Sequence, residues 1–193
     1  VGSEMCIRDR FVDVAPDAWY FDAVRYAYEN SLMVGTSPNA FSPNGMTTRA
    51  QIVTILWRLV DSPAGEAPVD FADVDPAAWY GEAVRYVYEN GLMAGTSAGA
   101  FSPGGATSRG MVVTILYRLA GSPNMEEEMW GYPFADVDST AWYGTAVYWA
   151  RLQGVANGYG ELFGPEDPIT REQLAVMLYR YAPVSYTHLT LPT

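Results

Sequence analysis

The 193-residue chain is 49% apolar and 14% aromatic, enough for a folded core. Even its largely apolar stretch around Met111 to Tyr117, interrupted by Thr114, falls far short of the roughly 18 residues of a membrane-spanning helix. Twenty-two acidic residues face eleven basic ones, every basic one arginine, and the net charge of −11 argues against binding nucleic acid or an anionic lipid surface.

The first ten residues, Val1 to Arg10, match nothing later in the chain and lack the apolar core of a secretory signal. Residues 184–193 likewise stand outside any pattern. Both ends read as translated adapter sequence on a fragment and are set aside from the fold. They hold the single cysteine, Cys6, and the single histidine, His188. One cysteine excludes an internal disulfide framework.

Between the ends, one unit occurs three times. Phe11-Val12-Asp13-Val14 returns as Phe71-Ala72-Asp73-Val74 and Phe134-Ala135-Asp136-Val137. Trp-Tyr pairs at 19/20, 79/80 and 142/143 follow, then Gly35, Gly95 and Gly158, then Phe41, Phe101 and Phe163. Arg49, Arg109 and Arg171 complete the register, spaced by 60 and 62 residues. The first two copies agree at about two-thirds of positions. The repeats are expected at 11–60, 71–120 and 134–182, joined by Pro-, Gly- and acid-rich linkers at 61–70 and 121–133.

Each unit reads as helix, glycine-containing loop, helix. In the second, Asp75 is read as an N-cap with Pro76 in the first turn, and Trp79, Ala83, Val84 and Val87 then recur at helical spacing. Asn90-Gly91 supplies the stop, as Gly154 does in the third copy; Ser31 stands there in the first. The loop allows a little extended structure, and Phe41, Phe101 and Phe163 are expected to plug the gap between the two helices. The second helix opens with a capping box at Thr48 to Gln51 and Thr170 to Gln173; Ser108 keeps the hydroxyl but lacks the glutamine. Apolar stripes follow: Ile52, Val53, Ile55, Leu56 and Leu59 in the first copy, with counterparts in the others. One helical hairpin cannot bury its own apolar stripe, so the units must pack on each other. The fold class is therefore all-α, three helix-loop-helix repeats in a compact pseudo-threefold bundle.

Phe-x-Asp-Val, Trp-Tyr, a Gly-Leu-Met-x-Gly stretch, Phe-Ser-Pro and Thr-Arg-Ala-Gln closely resemble the S-layer homology repeat, over residues 11–182. The resemblance implies a three-pronged helical domain with binding grooves between neighbouring repeats. It also implies a ligand, a bacterial secondary cell wall polymer linked to peptidoglycan and often carrying a pyruvylated amino sugar. Such a module anchors a larger exported protein at the cell wall or S-layer. Thr47 and Thr107 depart from the family's apolar residue before Thr-Arg, and Gly110-Met111 replaces Ala-Gln, so the Arg109 groove departs most.

Arg49, Arg109 and Arg171 fall at helix starts, where free N–H groups favour anions, and a guanidinium adds a bidentate clamp for a carboxylate. A pyruvyl ketal carries such a carboxylate. The alternative is an arginine paired with Asp13, Asp73 or Asp136 to pin adjacent units. Those aspartates otherwise act as caps or bind sugar hydroxyls. Trp19, Trp79 and Trp142 stack on a pyranose face or pack into the core. Gly35, Gly95 and Gly158 admit a sugar close to the backbone or only supply a positive-φ turn. At a Debye length of about 8 Å, the distant carboxylates behind the net charge oppose a contacting arginine little.

Two other function classes stay open. A glycosidase needs two opposed carboxylates, yet the acids here recur identically in each copy. With no histidine or cysteine in the repeats, zinc and nucleophile–histidine chemistry have nothing to work with, so no catalytic residue, metal or cofactor is expected. A protein-interaction module using exposed aromatics is the other class, though 60 residues per unit exceeds tetratricopeptide-type arrays.

Overall fold

The computed structural model describes residues 10–66, 68–125 and 134–189. Cys6 and most of the terminal stretches lie outside the described residues. The helices come in three pairs: α1 (Phe21–Glu29) and α2 (Arg49–Leu59), α3 (Gly81–Glu89) and α4 (Arg109–Leu119), α5 (Gly144–Leu152) and α6 (Arg171–Leu189). The last helix continues to Leu189, into the stretch that the sequence leaves outside the repeats, with Pro183 inside it and Val184 buried.

The first helix of each repeat starts later than the sequence suggested. Asp75 caps a turn instead of a helix: its carboxylate accepts the Ala77 N–H at 2.9 Å, and i→i+3 bonds run on from Ala78 to Asp75 and from Gly81 to Ala78. Only at Gly81 does α3 begin. Tight turns before the helix break the 3.6-residue register that would have aimed Trp79 inward with Ala83 and Val84. Trp19, Trp79 and Trp142 accordingly stand 56 to 65% exposed, not in the core. At the other end, Ser31, Gly91 and Gly154 all take the left-handed conformation, and the next amide turns back to the helix, as from Leu32 to Ala27 O at 2.8 Å. Serine fills a glycine position in the first copy.

Capping of the second helices follows the sequence. Thr48 and Gln51 exchange both capping-box bonds, Thr170 and Gln173 do the same at 3.4 Å, and Ser108 accepts from Met111 without a reply. The linkers are tied down by equivalent residues: Trp57 donates its indole N–H to Pro63 O at 2.7 Å, and Tyr117 its hydroxyl to Pro123 O at 3.0 Å.

Closure comes from what the helix starts bind. The first two amides of α2, on Arg49 and Ala50, donate to Gly105 O and Pro103 O of the next repeat. Those of α4 donate to Asp167 O and Pro165 O, and those of α6 return to Gly45 O and Pro43 O of the first repeat. Nearer the axis, three amides chase one another in a ring: Thr47 to Ile169 O, Ile169 to Thr107 O, Thr107 to Thr47 O. Helix packing obeys the same cycle. α2 lies on α3, α4 on α5, and α6 on α1, so the extensive helix pairs form between repeats. The expected pseudo-threefold bundle is therefore a closed ring.

Phe41, Phe101 and Phe163 are wholly buried, as expected. Each meets the opening phenylalanine of its own repeat, Phe11, Phe71 or Phe134, at 5.3 to 5.6 Å between ring centres.

Candidate functional site

Three grooves open between the prongs, each built from all three repeats. One is lined by Met33, Val34 and Gly35 of the first repeat with Thr54 and Arg58 of α2, by Trp79 of the second, and by Arg171 of the third. Rotating the cast gives the second: Met93, Ala94, Gly95, Thr114 and Arg118, with Trp142 and Arg49. The last holds Ala156, Gly158, Met177 and Arg180, with Trp19 and Arg109. Their volumes are about 210, 280 and 170 Å³ in that order. The sequence-predicted arginines, tryptophans and glycines thus meet, though contributed by different copies.

The arginines are the unusual members. Arg49, Arg109 and Arg171 are only 4 to 6% exposed. Arg49 donates Nε–H to Phe101 O at 2.8 Å and an Nη2 proton to Ala94 O at 2.6 Å. Arg171 repeats this on Phe41 O at 2.7 Å and Val34 O at 2.5 Å. Arg109 makes only the first bond, to Phe163 O at 3.0 Å. Each guanidinium also lies over the ring of that phenylalanine, at 4.5 to 4.8 Å. Among the described residues, none of the three comes within ion-pair distance of a carboxylate; the pairs that form, Arg25–Asp22 and Arg85–Glu82, are surface i,i+3 contacts.

Two expectations are corrected here. The helix starts offer no free amides to a ligand, because the neighbouring repeat's loop carbonyls take the first two and the cap hydroxyl the third. Nor do the arginines pair with Asp13, Asp73 or Asp136. Each of these accepts two backbone N–H groups, at 41/42, 101/102 and 163/164, all at 2.7 or 2.8 Å. The aspartates fasten the loop and do not line the grooves. Those amides hold the Asp73 carboxyl below the usual range.

Electrostatics follow from the geometry. Burial pulls all three guanidinium groups below the ordinary arginine range, and more distant charges oppose it weakly: Asp73 for Arg49, Asp13 for Arg171. For Arg109 the opposition comes from Tyr159, Asp167 and Asp136. A desolvated cation whose partners are carbonyl dipoles leaves room for an anion, and each of the three guanidinium side chains lines a groove.

The glycines answer to packing. A Cβ on Gly35 would stand 2.7 Å from the Phe11 ring and 2.5 Å from Ser37 O, and Gly95 meets the same obstacles. Of Gly35, Gly95 and Gly158, the last alone has a positive φ. Close approach of the loop to its own phenylalanine fixes the residue, so the turn reading holds for one copy in three.

A second set of arginines escaped the sequence reading. Arg58, Arg118 and Arg180 lie nine residues beyond Arg49, Arg109 and Arg171 and line the grooves. Arg118 also donates to Leu92 O at 2.9 Å and Arg58 to Leu32 O at 3.4 Å, securing the end of the first helix. The constant offset was the available signal.

The sequence profile of the S-layer homology domain matches residues 10–53, 70–110 and 133–175. A surface-layer 125 kDa protein of Lysinibacillus sphaericus is 31% identical over 168 residues, covering 82% of this chain and 14% of that protein. An endoglucanase of a Bacillus species is 27% identical over 93% of this chain and 20% of its own length. The S-layer protein sap of Bacillus anthracis is 27% identical over 69% of this chain and 16% of that protein. The chain therefore spans a fifth or less of these curated relatives.

Proposed function

Because the chain belongs to the S-layer homology family, a family of the bacterial cell surface, we propose that it anchors a larger exported protein to the cell wall by gripping an acidic secondary wall polysaccharide in its grooves. One observation carries this reading: each groove is lined by an otherwise buried guanidinium with no carboxylate at ion-pair distance among the described residues, and those of Arg49 and Arg171 meet carbonyl oxygens and a phenylalanine face. A sugar carboxylate, such as that of a pyruvyl ketal, supplies the missing counter-charge. The tryptophan from the adjoining repeat offers a flat apolar face to the same sugar ring.

Several grooves on one rigid ring raise avidity for a repeating polymer even when each contact is weak. The module is read as non-catalytic, because the recurring aspartates hold loop amides and do not oppose one another across a groove. The resemblance to an endoglucanase fits a shared anchor on a longer protein, since the chain covers 20% of it.

Sedimentation with purified walls tests the reading. The protein should pellet with intact walls and stay in solution after the acidic polymer is stripped. A correctly folded Arg49→Gln/Arg171→Gln variant should lose attachment by at least tenfold. Retention on stripped walls would point to a protein partner, and release of reducing sugar would point to an enzyme.

A further inference from the structure

The grooves differ, and the difference is concentrated in the third repeat. Thr36 and Thr96 share hydrogen bonds with Ser42 and Ser102 at 2.6 Å, but the corresponding residue in the third copy is Tyr159. Its ring lies 4.5 Å from the Arg109 guanidinium, whose other contact is Phe163 at 4.8 Å. Gln173 donates to the Tyr159 hydroxyl at 2.7 Å and holds the ring there. The loop is also one residue shorter, 29 positions from Phe134 to Phe163 against 30 from Phe11 to Phe41.

A second replacement acts on the same cation. Gly45 and Gly105 stand close enough to the groove arginines that an added Cβ would lie 3.3 Å from Cδ of Arg171 or Arg49. In the third repeat that position is Asp167, which brings a carboxylate to the neighbourhood of Arg109. A guanidinium with aromatic rings beside it and an acid nearby has part of its charge answered inside the protein, so an incoming carboxylate gains less. What remains of this smallest groove is suited to hydroxyls: Trp19 and Tyr159 present exposed rings, and Asn157 and Gln173 present amides.

We propose that the Arg49 and Arg171 grooves take acid-bearing sugar units, whereas Tyr159 and Asp167 make the Arg109 groove a seat for an uncharged pyranose. This rests on the anion reading of the grooves given above. Each groove has its own tryptophan, so the indole N–H resonances of Trp142, Trp79 and Trp19 report on the Arg49, Arg171 and Arg109 grooves separately.

The experiment is a titration of the labelled protein, followed by amide and indole spectra, with the methyl glycoside of a pyruvylated amino sugar. The same glycoside without the pyruvyl group is the second probe. The acid sugar should shift Trp142 and Trp79 at concentrations at least tenfold below any effect on Trp19. The neutral sugar should shift Trp19 first. A Tyr159→Thr/Asp167→Gly variant should bring Trp19 into the acid-sugar response. Equal response of all three indoles to the acid sugar in the native protein would overturn the inference and leave the anion reading standing. A Trp19 silent to the neutral sugar, or a double variant without the new response, would overturn it as well. Silence of every indole toward the acid sugar would instead bring down the groove reading itself.

Discussion

Replacing Arg171 by methionine removes a link that closes the ring while keeping the volume and the apolar contact with Phe41. The side chain bonds to Phe41 O and Val34 O, 130 and 137 residues away. Hydrogen bonds to charged groups contribute about 1.5 to 3 kcal/mol each when the acceptor is left without a substitute. Phe41 O is buried and bears this cost, whereas Val34 O opens on the groove and rehydrates. Loss of the cation–π contact adds about 0.5 to 1 kcal/mol. Release of a desolvated charge returns part of the sum. The backbone bonds from Arg171 and Glu172 to Gly45 and Pro43 survive, so the ring stays closed. A net loss of about 2 kcal/mol follows, roughly 4 to 8 °C in melting temperature at this chain length. Urea unfolding followed by tryptophan fluorescence measures it. An unchanged midpoint in a folded variant would show that the guanidinium contributes nothing to closure, and the argument for a desolvated, anion-seeking cation would go with it.

Trp79→Ala should leave stability within about 0.5 kcal/mol, because the indole is mostly exposed, yet reduce wall binding several-fold in the sedimentation assay. Gly35→Ala should destabilise by about 1 to 3 kcal/mol in urea, since the new methyl meets Ser37 O and the Phe11 ring. Trp149→Phe should stay within about 1 kcal/mol of the parent by thermal denaturation, because the buried indole N–H has no acceptor to lose. Asp73 should make folding acid-sensitive. Its folded pKa lies below the unfolded one, so its stabilisation is complete above about pH 4 and vanishes as pH falls through the folded value. The gap in urea midpoint between the parent and Asp73→Asn should therefore shrink as pH falls below about 4, the ordinary aspartate value.

Repetition made much of this molecule legible. The recurring Phe, Trp-Tyr, Gly and Arg positions fixed the number of units, the helix caps at Thr48 and Thr170, and the burial of Phe41, Phe101 and Phe163. Local chemistry sufficed for these, because a cap or an apolar stripe is decided within a few residues. The start of the first helix was misread for the opposite reason: Asp75-Pro76 opens a helix and a tight turn equally well. What each Asp and Arg would hold was beyond reach. Asp13 finds Phe41 and Ser42 across a loop, and Arg171 finds Phe41 across the whole ring, so neither partner has a signature beside it in the chain. The sequence by itself determined three copies of a helix pair with an arginine at every second helix start. Only the tertiary structure decided that each arginine reaches into the following repeat, that its helix amides are spent on that repeat's loop, and that its side chain lines a groove with a tryptophan from another copy. Closing a ring brings together residues more than a hundred positions apart, and no local pattern encodes such a pairing.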